Sequence, residues 1–126
     1  MDPNVKPLFD YLELFKDISL HDKEIIDSKI KIRNVKEGEI LLKEGELAKE
    51  MFFITNGILK IITVNEKGNF VVLFFLKENQ FCTILNSFNN NTPSTESIVA
   101  ACDTSLIVFP NKIFYTYMIP FRISKT

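Results

Sequence analysis

Gly38-Glu39-Ile40-Leu41-Leu42-Lys43-Glu44-Gly45-Glu46, followed by Met51-Phe52-Phe53-Ile54-Thr55-Asn56-Gly57, is the stretch whose reading decides the fold. Short apolar runs are cut by glycines at close intervals, each preceded by a polar residue. Glycine lacks the Cβ that makes positive φ costly, so it sits where a chain reverses between strands. Asn56-Gly57 lies between the apolar runs Met51–Thr55 and Ile58–Val64 and predicts a hairpin, since a type I′ turn needs positive φ at both central residues. The chain has four glycines, at 38, 45, 57 and 68, and all fall where strand-like runs meet. The pattern predicts an antiparallel β architecture to which the rest of the chain attaches.

Outward from that stretch, the periodicity changes. On the N-terminal side, Leu8, Tyr11, Leu12 and Phe15 keep helical spacing behind Pro7. Ser19 predicts an N-cap for a second helix reaching about Ser28, with Asp22 and Glu24 in its first turn and Leu20, Ile25 and Ile26 facing inward. From Lys29 the period becomes two, with Ile30, Ile32 and Val35 alternating against Lys31, Arg33 and Asn34. On the C-terminal side, Asn65–Asn69 is a turn, and Phe70–Leu76 is apolar throughout. Such a run predicts a strand buried on both faces or one that shields a partner surface. Lys77–Gln80 turns the chain again. Phe81 to Thr95, rich in asparagine, reads as a short helical turn and the longest irregular segment, where a strand scaffold usually carries binding residues. Ser97–Cys102 and Ser105–Phe109 predict a last strand pair around Asp103-Thr104, and Pro110-Asn111 opens a final helix through Ile113, Phe114, Tyr117 and Met118.

Seven or eight short strands flanked by small helices define a mainly β class, a double-stranded β-helix or jelly-roll barrel. The expected layout is one domain over residues 1–126, with a helical segment 7–28, a jelly roll 29–109 and a short helix 110–119. Twelve phenylalanines and 46% hydrophobic residues exclude a disordered chain. The apolar runs are too short for a membrane helix, and Met1-Asp2-Pro3-Asn4 does not begin a secretory signal, so a cytoplasmic protein is expected. Cys82 and Cys102 are expected as reduced, buried thiols. The net charge of −1, with no basic stripe, argues against DNA binding by this segment itself. A single histidine, His21, sits among charged neighbours and reads as a surface residue. No hydrolase triad, phosphate-binding loop or metal site can be built around it, so the chain is expected not to be an enzyme.

The spacing of Gly38-Glu39-Ile40-Leu41, Glu44-Gly45-Glu46, Phe53-Ile54 and Gly57, with the opening Leu14-Phe15-Lys16-Asp17-Ile18-Ser19, resembles the cyclic-nucleotide-binding (effector) domain of the Crp/Fnr family of bacterial transcription regulators. The resemblance runs from about Leu14 to Phe109. It implies a small-molecule effector, a homodimer in a full-length form, and DNA contact through a C-terminal helix-turn-helix that this sequence does not contain. It also implies a phosphate cassette: Phe-Gly-Glu, a short helix, then Arg-Ser or Arg-Thr. There a helix start and an arginine hold the phosphate while the glutamate accepts from the ribose. Laid on this chain, Phe81 matches, the glycine and glutamate positions fall on Thr83 and Ile84, and the arginine position falls near Ser94, followed by Thr95. Together with Asn86, these are the candidate ligand-binding residues.

No lysine or arginine occurs between Lys77 and Lys112, and the two arginines, Arg33 and Arg122, lie outside the cassette. A buried phosphate needs a cationic partner, so cyclic AMP or cyclic GMP in the usual mode is disfavoured, and no metal or other cofactor is expected. Two alternatives have the same outline. One is a protein-interaction or dimerisation module, with Phe114, Tyr115, Tyr117, Met118 and Phe121 as the candidate patch. The other is a cupin-like metalloenzyme, which would require more histidines than one.

Overall fold

A computed structural model describes residues 3–14, 17–110 and 113. Two helices precede eight strands, with a third helix inserted late. They are α1 (Lys6–Glu13), α2 (Leu20–Lys29), β1 (Lys31–Val35), β2 (Ile40–Leu42), β3 (Glu50–Asn56), β4 (Leu59–Val64), β5 (Phe70–Leu76), β6 (Phe81–Cys82), α3 (Leu85–Asn90), β7 (Ser97–Ala100) and β8 (Thr104–Pro110).

Pro7 sits in the first turn of α1, where its missing N–H costs nothing, and Leu8, Phe9 and Leu12 are buried along one face. The side chain of Ser19 caps α2 by accepting from Asp22 N–H at 3.1 Å, as the sequence predicts. The inward face of α2 is narrower than expected. Ile26 is buried and Ile25 half-buried, but Leu20 is 70% exposed, because a first-turn residue here projects past the edge of the core.

One turn design recurs at three places, and its chemistry is local. Lys36-Glu37-Gly38-Glu39, Lys43-Glu44-Gly45-Glu46 and Lys77-Glu78-Asn79-Gln80 each begin with a lysine whose N–H donates to the side chain of the fourth residue, at 3.2, 2.7 and 2.8 Å. The fourth N–H returns to the lysine carbonyl at 2.9, 2.9 and 3.1 Å. The third residue takes positive φ (Gly38 +84°, Gly45 +93°, Asn79 +65°), a conformation glycine and asparagine tolerate best. Its N–H then docks on a distant carbonyl: Ala100, Ser94 and Ile54 respectively. Each turn therefore reverses the chain and ties it to a distant segment, a strand in the first and third copies and the loop before β7 in the second. In the first copy the Glu39 carboxyl is held below the ordinary carboxylate range, chiefly by the Lys36 N–H and then by Arg33 at 3.0 Å.

The strands form two four-stranded antiparallel sheets, β1-β8-β3-β6 and β2-β7-β4-β5. This is the jelly-roll class the sequence predicts, but two expected pairings are corrected. Asn56-Gly57 does not close a hairpin, since β3 belongs to the first sheet and β4 to the second. Gly57 alone takes positive φ, at +109°, and a Cβ there would overlap Thr104 Oγ1 and lie 2.8 Å from Thr104 Cα. The glycine is a corner that lets the chain pass Thr104, whose hydroxyl lies 3.1 Å from Ile58 N and 2.9 Å from the Cys102 carbonyl oxygen. Likewise Ser97–Cys102 and Ser105–Phe109 are not a pair. β7 joins β2 and β4, β8 joins β1 and β3, and Asp103 lies at the crossing between the sheets. The hairpin is instead β4–β5, closed by Asn65–Asn69, where Asn65 Oδ1 accepts from the N–H groups of Lys67 and Asn69.

The core fills the space between the sheets with Ile54, Leu59, Ile61, Ile98 and Leu106, and continues beneath α1 with Phe53, Phe81 and Phe109. Tyr11 packs on Phe53 and Phe81 at ring-centroid distances of 5.6 and 5.8 Å, and Phe53 on Phe81 at 4.9 Å. The run Met51–Ile54 is buried at every position, because α1 covers the face of β3 turned away from the other sheet. The run Phe70–Leu76 is not. β5 is an edge strand, and Phe70, Phe74 and Phe75 are 75%, 62% and 66% exposed, which rules out burial on both faces. Pro110 ends β8 instead of opening the expected helix, and Ile113 is buried; residues 111, 112 and 114–119 of that expected helix and the patch at Phe114, Tyr115, Tyr117, Met118 and Phe121 lie outside the described residues.

Candidate functional site

After the third turn, β6 pairs with β3 through Phe81 and Cys82. Thr83 and Ile84 lead into α3, and Asn91 ends that helix in the left-handed conformation at φ +55°, its N–H returning to Ser87 O at 2.9 Å. The segment that follows, read in the sequence as irregular, is firmly tied. Gly45 N–H donates to Ser94 O at 2.7 Å, Ser94 N–H to Glu46 O at 2.8 Å, and Leu47 bridges to Pro93. Ala48 N–H donates to Ser87 Oγ at 2.8 Å, which anchors α3 to the same neighbouring loop.

Between this helix-and-loop unit and the β4–β5 hairpin lies a cavity of about 660 Å³. Its apolar walls are Ile61, Phe74, Phe75, Leu76, Phe81, Ile84 and Leu85, and its polar groups come from Gln80, Thr83, Asn86, Thr95 and Glu96, with Cys82 between. A volume of this size with few polar groups suits a small organic ligand. Five of the six sequence-predicted residues line it: Phe81, Thr83, Ile84, Asn86 and Thr95. Ser94 does not. Its buried hydroxyl donates to the Glu96 carbonyl at 2.6 Å and accepts from Glu96 N–H at 3.1 Å, so it shapes the loop. Thr83 is also partly committed, donating to the Glu50 carbonyl at 3.0 Å, and Asn86 Oδ1 accepts from Asn90 at 2.7 Å.

The cavity's electrostatics run against an anion. Among the described residues no lysine or arginine lines it, and the carboxylate present is the half-buried Glu96, which accepts from Thr95 Oγ1 at 2.5 Å. Burial pushes the Cys82 thiol up to about 12, so it is neutral. Sequence reasoning missed Gln80, Glu96 and the β4–β5 side chains. Glu96 was within reach, because it directly follows the Ser94-Thr95 pair. Ile61, Phe74 and Leu76 carry no local signal, since their approach to α3 is a product of the sheet packing. A second cavity of about 670 Å³, lined by Leu41, Leu42, Phe52 and Pro110 among others, touches only Thr83 of the cassette, so its size alone assigns it no role. Among the described residues no three histidine, cysteine, aspartate or glutamate side chains converge as a metal site, and no helix is long and apolar enough to cross a membrane.

A two-sheet jelly roll with a helix-bearing loop folded over a cavity is the architecture of an effector-binding domain. The cyclic nucleotide-binding domain family matches residues 32–119, and the chain belongs to that family. Solved structures agree on the fold. The sensor domain of the transcriptional regulator DNR from Pseudomonas aeruginosa superposes with a TM-score of 0.76 at 18% identity, over 90% of this chain and 75% of that one. The catabolite activator protein of Thermus thermophilus gives 0.68 at 17% identity, over 86% of this chain and 50% of that one. The regulatory subunit of a cAMP-independent protein kinase A from Trypanosoma cruzi, bound to guanosine, gives 0.75 at 15% identity, over 93% of this chain and 42% of that one. Among curated protein sequences none matches the chain. The cyclic nucleotide-binding family and the jelly-roll fold implied by the glycine frame are thus confirmed.

Proposed function

We propose that this chain is the effector-sensing domain of a Crp/Fnr-like transcription regulator, and that its cavity holds a small effector without a phosphate, not cyclic AMP in the usual mode. The observation that carries the proposal is the charge of the cavity: no cation among the described lining residues, and Glu96 beside the place where the family's arginine would stand. A phosphate there would lose its hydration, gain no countercharge and face a carboxylate. The remaining chemistry supports a ligand with an apolar or aromatic body, stacked among Phe74, Phe75 and Phe81, with hydrogen-bonding groups directed at Gln80, Asn86, Thr95 and Glu96. The guanosine-bound relative supports this class, because its ligand is an uncharged nucleoside.

In the whole protein, residues 1–126 would be the sensory unit, non-catalytic and cytoplasmic, and DNA would be contacted through a further C-terminal domain in a homodimer. Phe81, Thr83, Ile84, Asn86 and Thr95 would face the effector, and Ser94 would hold the loop in shape.

The test is calorimetric titration with parallel thermal shift, using cyclic AMP, cyclic GMP, cyclic dinucleotides, guanosine and adenosine. Stabilisation by a nucleoside with none by the cyclic nucleotides is the expected result. Micromolar binding of cyclic AMP would overturn the proposal and restore a conventional nucleotide sensor.

A further inference from the structure

The cavity beside α3 holds one formal charge among its described lining residues, the carboxylate of Glu96. Glu96 stands immediately before β7, two positions ahead of Ile98, which is fully buried and opposes Ile61 on β4. Ile61 in turn opposes Phe74 on β5, so Ile98, Ile61 and Phe74 form one rung of the sheet. Residues two apart along an extended chain share a face. Glu96 therefore enters the cavity from the core-facing side of the sheet, where charged side chains are rare unless paired.

Glu96 is not paired. None of the ion pairs among the described residues includes it. Thr95 Oγ1 donates to its Oε2 at 2.5 Å, and no group of the described chain donates to Oε1. The hydroxyl protons nearby are committed, that of Thr95 to Glu96 and that of Thr83 to the Glu50 carbonyl. Water can hydrate Oε1 while the cavity is open. A ligand that fills the cavity removes that water, and a carboxylate stripped of water is costly unless a partner replaces it.

We propose that the effector carries a protonated nitrogen, an amine or amidine on an aromatic or apolar body, and that this group binds Glu96 Oε1. The proposal deepens the effector reading and rests on it. A neutral hydroxyl would supply one hydrogen bond at Oε1. A protonated nitrogen supplies several donors and the opposite charge, and charge-assisted hydrogen bonds are about twice as strong as neutral ones. The walls suit the same group. Phe74 lines the cavity yet is 62% exposed, so its ring has surface available to a ligand, and the face of a phenyl ring attracts a cation. No lysine or arginine among the described lining residues repels one.

The experiment is a two-dimensional amide NMR titration of the 126-residue chain with three compounds that share an indole body. They are tryptamine, a cation, tryptophol, which is neutral, and indole-3-acetate, an anion. Affinities of about millimolar are expected for fragments of this size, and the amides of Asn86, Thr95 and Glu96 report the site. Tryptamine should bind about tenfold more tightly than tryptophol, with indole-3-acetate the weakest. In E96Q, which keeps the size of the side chain and an acceptor for Thr95, tryptamine should fall to the level of tryptophol. Equal affinities for tryptamine and tryptophol in the wild type overturn the inference and leave the effector reading standing. A preference for tryptamine that survives E96Q does the same, as does a response to guanosine or adenosine with none to tryptamine. Cavity amides that respond to none of these compounds overturn both.

Discussion

Substituting Gly57 by alanine separates the corner from the other glycine turns. Two costs combine at this position. The first is conformational, since φ of +109° is a region that side-chain-bearing residues rarely adopt, at about 1–2 kcal/mol. The second is steric. The new methyl would overlap Thr104 Oγ1 and lie 2.8 Å from the Thr104 α-carbon. The α-carbon belongs to the backbone, so rotating the threonine side chain does not relieve the clash, and forcing the strands apart at a packed crossing costs about 1–3 kcal/mol. Moving Thr104 would also disturb its hydrogen bonds to Ile58 and Cys102. The two costs sum to about 2–5 kcal/mol, a large share of the ~5–15 kcal/mol that stabilises a typical domain. Gly68 is the internal control. It has φ of +81° and nothing within 4 Å of an added Cβ, so G68A bears only the conformational cost, about 1–2 kcal/mol. Equilibrium urea unfolding of G57A, G68A and the wild type measures both. G57A should lower the midpoint by at least twice as much as G68A at an unchanged m-value. Equal shifts would refute the reasoning, because the clash with Thr104 would then contribute nothing.

Two other predictions concern the cavity. Burial raises the Cys82 thiol from 9.0 to about 12, so the folded chain holds this proton more tightly than the unfolded one. Its stabilising contribution is complete below the unfolded value of 9.0 and is lost as pH rises toward about 12. The alkaline decline in urea midpoint should therefore be shallower in C82A than in the wild type, and a thiol reagent at neutral pH should label the half-buried Cys102 long before Cys82. Replacing Thr95 by arginine and Glu96 by glutamine supplies a cation and removes the opposing carboxylate. T95R/E96Q should bind cyclic AMP about 10- to 100-fold more tightly than the wild type in calorimetric titration, the range a charge-assisted hydrogen bond contributes. No gain would show that cavity charge is not what excludes the phosphate.

What the sequence by itself determined is everything set by chemistry within a few residues. Ser19 caps α2 because its hydroxyl reaches Asp22 N–H three positions on. Lys-Glu-Gly-Glu turns twice, and Lys-Glu-Asn-Gln once more, because the side chain and the positive-φ residue needed to close the turn lie inside the four-residue motif. The cassette could be located, and its lack of arginine seen, because both are properties of one continuous stretch.

Only the tertiary structure decided which strands become neighbours. A positive φ at Gly57 serves a hairpin and a sheet-to-sheet corner equally well, and the choice rests on the close approach of Thr104, far along the chain. Met51–Ile54 and Phe70–Leu76 are both unbroken apolar runs. The first is buried because α1 lies over β3, and the second is exposed because none of the described strands stands beyond β5. The cavity follows the same rule. Phe81 to Thr95 supplies one wall in sequence order, but Ile61, Phe74 and Leu76 reach it from the other side only when the two sheets close, since apolar surface has no preferred partner until the folded chain provides one.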